Sequence, residues 1–577
     1  MRYFSLSGWL LPAAVGLLLA GCQRQASSET AVAGASTAAP TAATDTASVA
    51  APADGITAAL LGQHTQVLAS DAFQGRRPFT AGEEKATGYL VAEFKKLGLQ
   101  PGPGGSYLQS VPLVEITGTP APTATAIGNG KTVTLKYRTD YVVRTEREAS
   151  TVNITDSPLV FVGYGVVAPE YQWDDYAGLD CKGKTVVMLI DDPGNAGSDT
   201  TLFRGKAMTY YGRGDYKVAE AVRHGATGVL SIHDTKSAST ASWSWTNVQT
   251  DYSSPALFLQ TPHRGASKEA FFGRITVDAA QRLFAAAGQN YAALYAAANK
   301  QGFRGRPLGL NFSTTIRNKI IRKASNNVVA VLPGTTRPKE CIVYSAHWDH
   351  LGIGPVVNGD SIYNGALDNA SGCAALLATA KAFMLAHQKP ARSIVFLAFT
   401  AEEQGLLGSA YYVSHPLFPL ALTVASINSD ALLALGLMRD FTIVGYGQSE
   451  LDDYARSAAR EQNRYVMAYQ HPESGGFYRS DHFSFAQVGV PALYADGEYD
   501  SRQRGKAFVE RKINEYYAKH YHKPSDEYDP KADLRGAEQD VRLLFRVGQK
   551  LASETTFPKW KEGSEFKAIR EKSRPNQ

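Results

Sequence analysis

The chain has 577 residues, 44% hydrophobic and 20% charged, which is too long for one core and too apolar to be disordered throughout. Lys and Arg number 59 against 54 Asp and Glu, and the sequence lacks the basic runs and interleaved aromatics of a nucleic-acid binder. Two folded domains with tails are expected, and nucleic acid is not an expected partner.

Arg2 precedes the apolar run "GWLLPAAVGLLLAGC", too short to span a bilayer but of the length of a signal-peptide core. It ends Leu19, Ala20, Gly21, Cys22, a quartet that resembles the bacterial lipobox, so residues 1–22 are expected to be a lipoprotein signal and Cys22 the lipidated residue. Residues 23–56 are mostly Ala, Thr, Ser and Pro and read as a disordered leash. Gln23 after the cysteine resembles lipoproteins sorted to the outer membrane of Gram-negative bacteria, which implies an exported, membrane-tethered protein facing the periplasm or the exterior. Cys181, Cys341 and Cys373 remain, an odd number, and read as small core residues.

Helical periodicity follows at Ile56 to Phe73 and Gly82 to Gly98, the second closing at "KKLGLQP". From about Thr117 to Asn311 the texture changes to short β-branched runs such as "PLVFVGYGVVAPE" and "GKTVVMLIDDPG". "GYGVVA" there nearly matches a dinucleotide fingerprint, but Pro169 follows where a phosphate-binding helix would have to start. After Asn326 strands alternate with helices: "NVVAVLPG", "CIVYSAHWDH", "SIVFLAFTAEE" and "LTVASINSD". That rhythm predicts a layered α/β domain to which the two early helices belong, with the β-rich part inserted into it.

The chemistry collects at the ends of these later strands. "CIVYSAHWDHLG" delivers His347 and Asp349, a spacing that lets the carboxylate meet the far nitrogen of a metal-bound imidazole; a surface histidine beside an acid would read the same. In "YNGALDNASGCAALL", Asp368 stands in a polar turn before an apolar helix, where Asn369 or Ser371 can cap and the aspartate can offer one oxygen to each of two metal ions. Glu402 and Glu403 end an apolar strand, and an extended backbone would send them to opposite faces, one to a cation and the other to the substrate. Asp430 ends a further strand, and "AKHYHKPSDEYDP" supplies His522, with His520 a competitor that spacing alone leaves open.

Together these segments resemble the catalytic core of the M28 family of zinc peptidases, the co-catalytic aminopeptidase class, over residues 57–115 and 325–555. The resemblance implies a three-layer α/β/α zinc-exopeptidase domain with a mostly parallel mixed sheet and two zinc ions per chain. His347 and Asp430 would hold one ion, Glu403 and His522 the other, and Asp368 would bridge them. Glu402 matches the general base, Asp349 the partner of His347, and Tyr521 a hydroxyl donor to the substrate carbonyl, while "YHKPSDEYD" matches the family's terminal "YH" motif at His522. "FYRSDHF" resembles the family's substrate-side segment and suggests Arg479 as a carbonyl contact. Residues 116–324 resemble a protease-associated domain, and residues 556–577 read as a solvated charged tail. Many relatives have two acidic residues where this chain has Leu367 and Asp368, a departure expected to alter only neighbouring hydrogen bonds.

Charge counting also favours two metals: two divalent ions bring four positive charges, three carboxylates remove three, and a bridging hydroxide removes the last. The implied function is an aminopeptidase that removes N-terminal residues from peptides with a free N-terminus, using a metal-bridging hydroxide and Glu402 as general base. The alternatives are a glutaminyl cyclase, whose "DGEE" differs from "TAEE" here, and a non-catalytic binding protein on the same fold, which would be expected to have lost ligands. Neither G-x-S-x-G nor H-E-x-x-H occurs, which disfavours serine hydrolases and gluzincins.

Overall fold

A computed structural model describes residues 52–196, 201–235 and 244–574. Cys22 and the leash up to residue 51, where lipidation and disorder are expected, lie outside them.

The early helices are α1 (Ala58–Leu68) and α2 (Ala81–Lys96), each started by a threonine whose hydroxyl accepts a first-turn N–H. Strand β1 (Leu108–Pro120) leads away, and the chain returns along the 27-residue β2 (Arg306–Leu332). Then come β3 (Arg337–His347), α3 (Ser371–Leu385), β4 (Arg392–Phe399), β5 (Thr423–Asn428), β6 (Asp440–Ile443), β7 (Tyr465–Ala468), β8 (Ala492–Asp496) and α4 (Arg535–Ser553). The central sheet runs β2, β4, β3, β5, β8, β6, β7, with β4, β3, β5 and β8 mutually parallel and β2 antiparallel at one side. It is a mixed, mostly parallel sheet covered on both faces.

Both covers are visible in the strand residues. Ile342, Tyr344 and Ala346 of β3 and Ile394, Phe396 and Ala398 of β4 pack with α1, α2, α3 and α4, while Cys341, Val343, Val395, Leu397 and Phe399 pack on the opposite face with Tyr412 and Phe485. A strand buried on both faces needs apolar residues at every position, which is why these segments read as unbroken runs. Cys181, Cys341 and Cys373 are buried and unpaired.

The inserted segment has its own core, from Ala124 to Ile316. Within it Phe161, Thr185–Leu189, Gly228–His233 and Phe271–Thr276 lie on adjacent parallel strands. The boundaries expected at residues 116 and 324 are not linkers. The β1–β2 ribbon pairs without a break from Leu108 opposite Val328 to Pro120 opposite Ile316, so one ladder crosses both boundaries.

The C-terminal segment differs from the expectation of a solvated tail. Trp560 and Phe566 are each only 3% exposed, the Trp560 indole donates to Gly489 O at 2.8 Å, and Arg570 donates to Leu420 O and Thr423 O. Its charges are interleaved with apolar anchors that dock on the sheet domain.

Candidate active site

Parallel strands β3, β4 and β5 end side by side, at the edge where open α/β sheets place their ligands. His347 is the last residue of β3, Glu402 and Glu403 follow β4, and Asp430 follows β5. The chain turns sharply here: Ala401, Ala431 and His522 all have positive φ, at a cost of ~1–2 kcal/mol each for a residue with a Cβ. Glu402 and Glu403 therefore open a turn, in which Glu402 O accepts from the N–H groups of Gly405 and Leu406, and do not continue the extended backbone expected from the sequence.

Asp368 stands between two histidines. Its Oδ1 lies 3.3 Å from His347 Nε2 and its Oδ2 3.3 Å from His522 Nε2. His347 Nε2 is also 3.3 Å from Asp430 Oδ1 and 3.8 Å from Glu402 Oε2. His522 Nε2 lies 3.1 Å from Glu403 Oε2 and takes part in no hydrogen bond. All the metal ligands and the base expected from the sequence thus converge. His520 does not: it is turned outward with Nδ1 on Ser525 O.

The donor set fits a metal. The ligand atoms of His347, Asp368 and Glu403, and those of His347, Glu402 and Asp430, each lie within 4.8 Å of one another. Imidazole nitrogens with carboxylate oxygens are the donors that divalent zinc-type ions take. Five carboxylates, counting Asp349, surround the two imidazoles, and the electrostatics register the imbalance. Burial opposes the charged form of each histidine, yet Glu402 and Asp430 hold His347 well above its usual range, and Glu403 and Asp368 lift His522 to about 10. Burial also disfavours the charged acids, but the two histidines, each 3.3 Å from one of its oxygens, hold Asp368 well below its range. His522 and His350 bring Glu403 down to about 2 against burial and the Asp368 charge. Burial, with Asp430 and Glu403 beside it, pushes Glu402 well up. The paired acids stay anionic while Glu402 is disposed to hold a proton.

The supporting contacts explain how this crowding is tolerated. His347 Nδ1 meets the main-chain oxygen of Asp349 at 3.1 Å, not the carboxylate, whose Oδ1 is 3.8 Å away and instead accepts the Glu402 N–H. Burial raises the Asp349 carboxyl to about 8. Asn369 Oδ1 accepts from Gly372 and Ala431 N–H, so it caps α3 and ties the Asp368 turn to the Asp430 loop, leaving Asp368 for ligation. Ser480 donates to Asp430 Oδ2 at 2.6 Å, and Ser345, Asn428 and Ser480 form a hydrogen-bonded chain behind it. Tyr521 stacks on His522 with ring centroids 3.8 Å apart, and Arg479 Nη2 donates to its hydroxyl oxygen at 3.2 Å, which brings the two substrate-side residues together.

Three residues escaped the sequence reading. His350 places Nδ1 2.6 Å from Glu403 Oε1, and its signal was present in "HWDH". Asp526, inside the segment quoted for His522, accepts the N–H groups of Leu367 and Asp368. Arg76 is fully buried and donates to four carbonyls, those of Leu68, Trp348, Asn364 and Gly365, at 2.6–2.8 Å; nothing in its local sequence announced this.

Residues 327–543 match the model of peptidase family M28. The matched stretch is similar to that family's peptidase domain. Curated relatives align over limited stretches: aminopeptidase NAALADL1 of Mus musculus is 29% identical over 160 residues, 27% of this chain and 20% of that protein. A probable zinc metalloprotease of Pyricularia oryzae is 43% identical over 108 residues, 19% and 20% of the two chains. Leupeptin-inactivating enzyme 1 of Streptomyces exfoliatus is 28% identical over 200 residues, 34% and 42%. The chain thus spans between a fifth and two fifths of the length of these relatives. Among solved structures, an aminopeptidase from Aneurinibacillus sp. strain AM-1 aligns over 88% of this chain and 96% of its own at 19% identity, with a TM-score of 0.48. The matched stretch contains every metal-site residue named above, whereas β1, the insert and the C-terminal anchor lie outside it.

Proposed function

We propose that the protein is a zinc-dependent aminopeptidase with two metal ions per chain. The observation that carries this reading is Asp368, whose two oxygens face two different histidines, each with its own second carboxylate. His347, Asp368 and Asp430 would hold one ion, and Asp368, Glu403 and His522 the other. Bound divalent ions supply Lewis acidity, bringing the ionisation of water from ~15.7 to ~7 and polarising a carbonyl oxygen. Zinc is the metal named for several relatives.

The chain's own residues complete the chemistry. Glu402 stands beside this centre, its carboxyl raised by burial, and takes a proton from the attacking water before returning it to the leaving amine nitrogen. Burial keeps the Tyr521 hydroxyl protonated, with Arg479 behind it, so that it donates a hydrogen bond to the carbonyl oxygen as negative charge develops there. The surplus carboxylates of the cluster suit a free α-ammonium group, which points to cleavage at the N-terminus.

The deciding experiment combines metal analysis with hydrolysis of aminoacyl anilides and N-blocked peptides, for wild type and Glu402→Gln. The expected result is two metals per chain in both proteins, chelator-sensitive release of unblocked residues only, and a loss of ~10²-fold or more in kcat for the variant. Wild-type rates from Glu402→Gln would remove Glu402 from the mechanism, and metal without cleavage of any substrate would overturn the aminopeptidase reading in favour of a cyclase or binding role.

A further inference from the structure

Strand β8 carries two kinds of residue. Leu493 and Ala495 face the main core, so Tyr494 and Asp496 face the other way. Tyr494 shows where that face leads, because its hydroxyl donates to the main-chain oxygen of Asp430 at 3.3 Å. Asp496 lies two residues further along the strand, ~7 Å from Tyr494, and Glu498 follows it in the turn. Tyr517 closes the same space: it feels the charges of Asp496 and Glu498, and its ring lies 5.3 Å from that of Tyr521.

Asp496 is only 8% exposed, yet no hydrogen bond or ion pair holds its carboxylate or that of Glu498 among the described residues. The neighbouring charged groups are already committed. Asp440 accepts the N–H groups of Glu498, Tyr499 and Asp500, Asp540 pairs with Arg464 at 2.6 Å, and Arg479 is turned to Tyr521. Burial and the adjacent acids raise both carboxyls, Glu498 to about 8. Two unpaired acids two residues apart, one of them buried, are costly without a cation. An arginine or lysine side chain supplies one, its stem packing on tyrosine rings and its head at the acids.

Building on the aminopeptidase reading, we propose that Asp496 and Glu498 form the floor of the pocket for the N-terminal side chain and select peptides that begin with lysine or arginine. The α-ammonium group would sit at the metal-side carboxylates, and the extended basic side chain would run past Tyr494 to these two acids.

The test compares kcat/KM for lysyl, arginyl, leucyl and phenylalanyl anilides, using the metal-loaded protein and its Glu498→Gln, Glu498→Lys and Asp496→Asn variants. Wild type should favour the basic substrates over leucyl at least about tenfold. Glu498→Gln and Asp496→Asn should each lower the lysyl-to-leucyl ratio about fivefold or more, chiefly through KM, and Glu498→Lys should lower it further. Glu498 is half-buried, so its two variants remain informative if Asp496→Asn fails to fold. A wild type that prefers leucyl or phenylalanyl anilide, or a ratio that neither Glu498 variant moves, would overturn the pocket assignment while leaving the aminopeptidase reading intact. Failure to cleave any of the four would overturn both.

Discussion

Arg76 shows most directly how single residues sustain the site. Among the described residues its guanidinium has no carboxylate partner at hydrogen-bond distance, and burial lowers its proton affinity, yet it donates to carbonyls on both sides of the metal centre. Trp348 adjoins the ligand His347, and Asn364 and Gly365 lead into the Asp368 turn, so one planar fork fixes the separation of two ligand-bearing loops. Lysine keeps the charge but lacks that fork, and Arg76→Lys should retain metal ~10- to 100-fold less tightly, with activity recovering in excess metal. Dialysis against graded chelator measures this, and unchanged retention would reduce Arg76 to a general packing role. Chemically distinctive side chains that end an apolar run, such as Glu402 and Asp430, were legible in the sequence, and the fold brings them together. Arg76 and Asp526 were not, because three of the four carbonyls that Arg76 holds lie 272–289 residues away and the N–H groups that Asp526 accepts lie 158–159 away, separations that no local pattern encodes.

At the scale of elements, the insert is joined to the catalytic loops as well as to the sheet. The ribbon residues Val111 and Leu113 pack with Ala401, next to Glu402, and Gln404 accepts a hydrogen bond from Leu257 of the insert. A second contact reaches the segment that carries Arg479. Met208 N–H donates to Pro472 O, and Arg213 donates to Tyr478 O while its guanidinium lies 4.9 Å from the Phe483 ring. Arg213 therefore braces the residue before Arg479 from outside the matched stretch. Losing one hydrogen bond from a charged donor is worth ~1.5–3 kcal/mol, so Arg213→Ala should raise KM for peptides about tenfold with metal content unchanged, as steady-state kinetics with metal analysis would show. Equal KM values would mean that the insert only covers the site. Alternating texture in the sequence set the insert apart from the sheet domain, but a strand run of 27 residues crosses the boundary, because pairing in a ladder ignores which core each half belongs to. Trp560 and Phe566 were hidden among charges for a related reason: two anchors suffice to dock a segment whose average composition is polar.

For the whole molecule, the interior titratable groups couple folding to pH, and His482 gives the coupling with a definite sign. Its imidazole is completely buried against Phe477 and Tyr494, with ring centroids 4.9 and 5.1 Å away, and burial pushes it down to about 3. An unfolded histidine titrates near 6.5. Between pH 6.5 and about 3 the unfolded chain therefore binds a proton that the folded chain refuses. The native state loses stability as pH falls through this window, at a limiting slope of ~1.4 kcal/mol per pH unit from this residue. Asparagine cannot take up that proton. Urea midpoints of wild type and His482→Asn between pH 7 and 4.5 should diverge in slope by about that amount, the variant losing less stability on acidification whatever its stability at pH 7. The comparison of slopes isolates the titration from any packing cost of the substitution, because a cavity or a lost contact shifts both ends of the curve equally. Parallel slopes would mean that His482 is protonated in the folded protein, and that the aromatic cage admits water or an acid to balance it.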